Sequence, residues 1–165
     1  MAEPVDTPIG TVTAEHFRPG HVRHQVVVGP KFLYALFNPR DRMHAGTRAF
    51  MAFVRDDELP YRRLVVNDHI VDEAATRLKK QASMQHATSF LRTLEESALY
   101  QFAGVPEDVF AAATERFLEW TDLDASFTDF VVAAHMAELG VDHILTFDRH
   151  YDAFDVTTLP YRNRS

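Results

Sequence analysis

Residues 126–154 read SFTDFVVAAHMAELGVDHILTFDRHYDAF and give the clearest folding signal in the chain. Ser126 and Asp129 have the spacing of a helix capping box, and Gly140 is the type of residue that most often ends a helix. The residues between them are apolar on nearly every side, which indicates a buried helix. HILTF (143–147) then forms a short apolar strand with an aspartate directly after it. A helix that leads into a strand in this way is typical of a parallel sheet built from βαβ units.

The same alternation of helices and short apolar strands extends through the chain from Gln25 onward. Further strands are predicted at 25–28, 63–66, 99–103 and 155–159. Further helices are predicted at 39–54, from Asp68 onward, at roughly 83–97 and from Pro106 onward, with a single helical turn after the first strand. The pattern predicts a three-layer α/β/α domain with a central parallel sheet over residues 25–165.

Residues 1–24 lack any periodicity and are interrupted by prolines and glycines. They are predicted to form an irregular N-terminal leader. The segment contains His16, His21 and His24, but no helical spacing supports a metal site there. A solvated arm is therefore the favoured interpretation.

Composition and charge exclude several classes of protein. The 165 residues carry a formal net charge of −7 and contain no cysteine, so no disulfide framework or cysteine-ligated metal is expected. The acidic excess disfavours indiscriminate binding of nucleic acid. The N-terminus lacks the basic and apolar regions of a signal peptide, and no apolar run approaches the roughly 18 residues of a membrane span. A cytoplasmic protein with no membrane partner is expected.

Acidic side chains stand where predicted strands end, or one helical turn later. They are Asp68, Glu73, Asp129 and Asp148. Ligands of open α/β sheets bind beyond the carboxyl ends of the strands, so we expect these acids to lie close together. Carboxylates gathered in this way repel one another until a cation joins them, and oxygen ligands favour Mg²⁺ or Mn²⁺. Such a site would support phosphoryl transfer or phosphodiester hydrolysis.

Each of these acids also has a structural interpretation. Asp68 and Asp148 are suitable helix caps, and Asp129 completes a capping box. Glu73 could pair with Arg77 one helical turn later. Glu73 nevertheless lies at the margin of the buried stripe of its helix, where an unpaired carboxylate is costly.

NDHIVDEAATRL (67–78) followed by the stretch quoted above resembles the PIN-domain ribonucleases, especially the toxin subunits of VapBC-type toxin–antitoxin systems. The resemblance covers roughly residues 25–160. It implies an endoribonuclease that uses Mg²⁺ or Mn²⁺ to cut single-stranded RNA or structured RNA loops. The catalytic and metal-binding acids that it implies are Glu73, Asp129 and Asp148.

The first strand departs from the pattern of this family. There the strand usually runs into an aspartate followed by a small hydroxyl residue, whereas VVVGPKFLYALF (26–37) has Gly29 at that position and Lys31 two residues later. In one interpretation the site is degenerate, and the Lys31 ammonium neutralises the remaining acids. In another, Asp68 or the retained acids still hold one ion and a reduced activity survives. A solvated Lys31 that points away is a third option.

The resemblance makes Thr128 and Thr146 the polar neighbours that position water or phosphate. Arg40 and Arg149 lie near predicted strand ends and are candidates for phosphate contacts. A homodimer and a small antitoxin protein are the partners that the resemblance implies, beside RNA. The alternative to an enzyme is a catalytically silent PIN-like protein that binds RNA or a protein partner. A general Mg²⁺-dependent phosphohydrolase is favoured only by DLD (122–124), which lacks the preceding strand.

Overall fold

A computed structural model describes residues 2–20 and 23–161, so His21 lies outside the described residues. The strands in these ranges are β1 (Val5–Thr7), β2 (Gly10–Val12), β3 (Gln25–Val28), β4 (Arg63–Val66), β5 (Tyr100–Phe102), β6 (His143–Leu145) and β7 (Thr157–Leu159). The α-helices are α1 (Pro30–Phe37), α2 (His44–Arg55), α3 (Asp68–Gln81), α4 (Met84–Glu96), α5 (Glu107–Glu119) and α6 (Phe127–Leu139). Short 3-10 helices cover Ala14–Phe17 and Arg149–Ala153.

Strands β3 to β7 form one parallel sheet in the order β5-β4-β3-β6-β7. The chain moves outward from β3 to β4 and β5, then returns past β3 to β6. Crossovers between parallel strands are right-handed as a rule, which places α1 to α4 on one face of the sheet and α5 with α6 on the other. This arrangement confirms the predicted three-layer α/β/α architecture. No helix in the described ranges is long and apolar enough to cross a membrane.

Burial on both faces explains why the central strands are apolar along their whole length. Val26, Val27 and Val28 of β3 are all buried, as is the Leu64–Val66 stretch of β4. A strand covered by helices on both sides has no solvent-facing positions, so its sequence shows a continuous apolar run rather than an alternation.

The capping signals place the ends of α3 and α6 where the sequence predicts them. The Asn67 side chain accepts a hydrogen bond from the backbone N–H of Ile70 at the start of α3. Ser126 and Asp129 form the predicted capping box of α6, and Gly140 ends that helix in the left-handed conformation at φ 70°. The φ angle explains the glycine, because a side chain is strained there.

The prediction for the segment after β3 is wrong in two respects. PKFLYALF is a complete helix, α1, with Pro30 in the first turn, where its missing N–H group costs nothing. The next helix begins at His44 and not at Pro39. Side chains hold the intervening residues in turns, since Asn38 accepts from the backbone of Arg40 and Asp41 accepts from that of Met43.

The prediction of an irregular, solvated leader is also wrong. Strands β1 and β2 pair as an antiparallel hairpin, and the following 3-10 helix inserts Phe17 into the core, where it is fully buried. The Phe17 ring lies 5.1 Å from that of Phe50, and the Tyr61 hydroxyl donates a 2.6 Å hydrogen bond to the Phe17 carbonyl. The elements are too short to produce a detectable periodicity. The division of the chain at residue 24 remains a prediction.

Truncation of Phe17 tests whether the leader belongs to the folding unit. We expect Phe17→Ala to lower the free energy of unfolding by about 3–5 kcal/mol, because it removes a large buried ring from a packed core. Chemical denaturation measures the change. The matched control is Ile9→Ala, at the exposed turn of the β1–β2 hairpin. Equal small effects of both substitutions would mean that the leader adds little to the core.

Candidate active site

A polar cavity of about 310 Å³ opens at the carboxyl edge of the sheet, beside the ends of β3 and β6. Its walls come from the start of α1, the second turn of α3, the start of α6 and the segment after β6. The lining residues are Pro30, Lys31, Glu73, Asp124, Ala125, Ser126, Asp129, Thr146, Asp148, His150 and Tyr151. The structure therefore brings together Glu73, Asp129 and Asp148, as the sequence predicts, with Thr146 and Lys31.

Asp148 is the most heavily engaged carboxylate in the cavity. Its Oδ2 lies 2.9 Å from the Lys31 ammonium, and its Oδ1 accepts the backbone N–H of His150 at 3.0 Å. The buried Thr146 hydroxyl accepts the backbone N–H of Asp148 and fixes the turn. Burial raises the pKa of Asp148, but the hydrogen bonds from His150 and Lys31 outweigh it, so the pKa is lowered overall. Asp148 is therefore an anion at neutral pH.

Asp129 is buried, with 6% of its surface exposed, and it both caps α6 and faces the cavity. Its Oδ2 accepts the backbone N–H of Ser126 at 2.9 Å. Asp129 can therefore cap α6 and still offer oxygen lone pairs to a ligand in the cavity, because a carboxylate has lone pairs beyond the one used in the cap.

The pKa values of Glu73 and Tyr151 are raised by burial and by the other acids of the cavity. The pKa of Glu73 is raised by burial first and then by the negative charge of Asp129, against the opposing effect of Lys31. The Tyr151 side chain is buried, and its hydroxyl makes no well-formed hydrogen bond with the described residues. Burial raises the pKa of Tyr151 well above its usual range, and the nearby Asp129 carboxylate adds to the rise.

His150 is the principal site residue that the sequence analysis missed. Its Nδ1 lies 2.9 Å from Asp148 Oδ1 and 3.8 Å from Asp129 Oδ2. One donor atom from each of these three residues can be chosen so that the three atoms all lie within 4.8 Å of one another. The available signal was its position two residues after Asp148, where a 3-10 turn directs the ring back toward the acids.

Four predicted site residues lie outside the cavity. Asp68 is exposed at the start of α3, and its Oδ1 accepts the backbone N–H of Val105 near β5. The structure thus does not support Asp68 as a ligand beside the other acids. Thr128 is half-buried on α6, and Arg40 and Arg149 are exposed; none of the three lines the cavity.

Close packing of β3 on β6 gives a physical reason for Gly29. The backbone N–H of Gly29 donates to the Leu145 carbonyl at 2.8 Å. A Cβ atom on residue 29 would lie 3.0 Å from the same carbonyl oxygen and 3.4 Å from the Thr146 Cβ. An aspartate at this position would therefore need the Leu145 carbonyl to shift by a few tenths of an ångström, so a glycine suits the close packing of β3 on β6.

The comparison with protein families identifies the class. The model of the PIN domain matches residues 31–156, which is most of the chain. The chain belongs to the PIN-domain family. None of the curated proteins matches the sequence.

Solved structures show the same fold at low sequence identity. VapC20 from Mycobacterium tuberculosis, a sarcin–ricin loop cleaving toxin, is similar with a TM-score of 0.69 and 21% identity, over 79% of this chain and 98% of that one. VapBC2 from Rickettsia felis, bound to a promoter DNA fragment, is similar with a TM-score of 0.59 and 10% identity, over 81% of this chain and 96% of that one. FitAcB from Neisseria gonorrhoeae is similar with a TM-score of 0.56 and 14% identity, over 82% of this chain and 97% of that one. At these identities the likeness concerns the fold alone.

The raised pKa of Glu73 predicts a pH-dependent gain in stability when its charge is removed. A raised folded-state pKa stabilises the fold fully below the unfolded value, near 4.5, and this contribution is lost as pH rises through the folded value. At neutral pH the charged carboxylate is therefore unfavourable. We expect Glu73→Gln to raise the melting temperature at pH 7 without added metal, with the gain shrinking toward pH 4.

Thermal melts across this pH range measure the effect. The matched control is Asp72→Asn, an exposed acid next to Glu73 on the same helix. A gain for Glu73→Gln that is independent of pH would show that the substitution acts through packing and not through the charge.

Proposed function

We propose that this chain is a Mg²⁺- or Mn²⁺-dependent endoribonuclease of the toxin type, which hydrolyses phosphodiester bonds in RNA. The observation that carries the proposal is the convergence of Glu73, Asp129 and Asp148 on one polar cavity at the carboxyl edge of the sheet. Like charges that meet in a partly buried cavity repel one another, so such a cavity favours a bound cation. Membership of the PIN-domain family supports nuclease chemistry.

Asp129 and Asp148 are the side chains best placed to hold the ion, with Glu73 beside them. A bound divalent ion supplies a water of lowered pKa and a positive charge that attracts phosphate oxygens. The Glu73 carboxylate, whose pKa is already raised, suits the uptake of a proton from a water molecule in the cavity. Thr146 holds the Asp148 backbone in place through its hydroxyl oxygen.

A structured RNA loop is the substrate class that we propose. VapC20 cleaves the sarcin–ricin loop, and this chain shares the fold of that toxin over 79% of its length. Arg149 follows Asp148 directly and is exposed, so it remains our leading candidate for a phosphate contact near the cavity. Arg40 and Thr128, the residue directly before Asp129, remain predictions of the same kind.

A catalytically silent PIN-like protein is the second candidate function, and the Lys31–Asp148 ion pair favours it. The ammonium lies 2.9 Å from a carboxylate that a metal would need. Gly29 also offers no acid in the place where the family usually has one. In this alternative Lys31 offsets the negative charge permanently, and the protein acts only by binding RNA or a protein partner.

A small antitoxin and a second copy of the chain are the protein partners that we propose. A groove between α1, α2 and α4 is lined by apolar residues such as Phe37 and Met51, with Arg48 and Arg55 also in its walls. On α5, Leu118 is exposed and Phe117 is partly exposed, although the Phe117 ring also packs against Phe127 and Phe130. These two surfaces are the candidates for a partner helix and for a dimer contact, respectively.

Calorimetric titration with Mn²⁺ at low salt separates the two candidate functions. We expect wild type to bind and Asp129→Asn to bind at least about tenfold more weakly, because a ligand and a negative charge are lost. The same substitution should abolish Mn²⁺-dependent cleavage of an RNA hairpin with a sarcin–ricin-type loop. Asp68→Asn, an acid outside the cavity, is the matched control and should leave both readouts unchanged. Wild type that neither binds Mn²⁺ nor cuts RNA would establish the silent alternative.

Replacement of Lys31 tests whether its ammonium competes with the metal. We expect Lys31→Met, which keeps the aliphatic stem, to raise the affinity for Mn²⁺ by up to about fivefold, since a partly exposed ion pair contributes about 1 kcal/mol or less. Calorimetry measures the change. Lys79→Met, on the exposed end of α3, is the control for loss of a positive charge. A weaker affinity in Lys31→Met would instead make Lys31 a supporting residue of the site.

A further inference from the structure

His150 changes the chemistry of the cavity, because it adds a nitrogen donor to a set of carboxylates. We propose that His150 is a direct metal ligand that takes the place of the missing first acid, and that the site consequently prefers Mn²⁺ to Mg²⁺. This inference rests on the proposed function, since it concerns the ion of the same cavity.

The distances between donor atoms fit a shared ion. An octahedral site with metal–ligand bonds of about 2.1 Å has neighbouring ligands about 3 Å apart and opposite ligands about 4 Å apart. His150 Nδ1 lies 2.9 Å from Asp148 Oδ1 and 3.8 Å from Asp129 Oδ2. Both separations fall in the range that one ion can span.

The other ring nitrogen of His150 lies on the outer side of the cavity. Its Nε2 is 3.8 Å from Asp124 Oδ2, which is longer than a hydrogen bond, and the Asp124 side chain is fully exposed. The ring therefore presents Nδ1 to Asp129 and Asp148 and leaves Nε2 at the outer wall.

A second observation is the buried hydroxyl of Tyr151. This side chain is 1% exposed and lines the cavity; its hydroxyl interacts with the Asp129 carboxylate, but among the described residues it has no hydrogen bond of normal geometry. Buried polar groups without partners are rare and indicate a water or ligand that completes them. A water held in the cavity by an ion would supply the missing partner.

The charge of the cavity is consistent with a neutral fourth ligand. Glu73, Asp124, Asp129 and Asp148 bring four carboxylates to the lining, and Lys31 offsets one negative charge. The cavity is therefore already rich in negative charge, and a neutral imidazole completes the ligands without adding to it.

The preference for Mn²⁺ follows from the donor type. Mg²⁺ binds almost only to oxygen and loses its waters reluctantly, whereas imidazole is a good ligand for transition ions. One nitrogen among the ligands therefore favours Mn²⁺, and a further transition ion such as Co²⁺ or Zn²⁺ should also be accepted. The competing explanation is that His150 only orients Asp148 through a hydrogen bond.

The test compares wild type with His150→Asn and His150→Asp in calorimetric titrations with Mn²⁺ and Mg²⁺. Asn keeps a hydrogen-bond donor near the position of Nδ1, and Asp restores an oxygen ligand. We expect His150→Asn to bind Mn²⁺ at least about tenfold more weakly. His150→Asp should bind both ions with a smaller preference for Mn²⁺. His24→Asn, on an exposed histidine at the opposite edge of the sheet, is the matched control and should behave as wild type.

Electron spin echo spectroscopy of bound Mn²⁺ gives a readout that a merely orienting histidine would not produce. We expect a ¹⁴N coupling in wild type and in His24→Asn, and its loss in both His150 variants. Binding of Mn²⁺ without a ¹⁴N coupling, at an affinity that His150→Asn leaves unchanged, would overturn the inference while the proposed function stands. Absence of binding of either ion to wild type would overturn the proposed function itself, and the inference with it.

Discussion

The parallel pairing of β3 with β6 is the contact on which the candidate active site depends. Val27 and Val28 are in register with Ile144 and Leu145, and the chain continues from both strands into the cavity. The pairing places the first turn of α1 beside the segment after β6, although these parts are distant in sequence. A slip of one residue would turn every side chain of β6 to the other face and separate the acids.

The same pairing produces an uneven electrostatic environment within one small cavity. Asp148 receives the Lys31 ammonium and a backbone N–H group, so its pKa is lowered, while burial and the negative charge of Asp129 raise the pKa of Glu73 against the opposing effect of Lys31 and Arg77. Carboxylates whose pKa values are pushed apart in this way are able to take different roles, one as a fixed anion and the other as a proton acceptor. The division arises from position alone, because both residues are ordinary carboxylic acids.

The sequence allowed the parallel sheet, the caps of α3 and α6 and the three converging acids to be predicted, because each depends on local spacing. Asp148 and Asp129 follow a strand or begin a helix, so the topology carries them to one edge. Asp68 satisfies the same rule, yet its side chain turns toward Val105, a contact that spacing does not encode. His150 was missed for the related reason that only the 3-10 turn after Asp148 decides where the ring points.

The leader packs against the residues that follow β7. The backbone N–H of Tyr161 donates to the His16 carbonyl, so the residues before β3 meet those after β7. The family match, by contrast, begins at Lys31 and stops at Val156, and it leaves out both the central strand β3 and the edge strand β7. A polypeptide trimmed to the matched residues would lose the middle of its own sheet, so the physical folding unit is larger than the region by which the family is recognised.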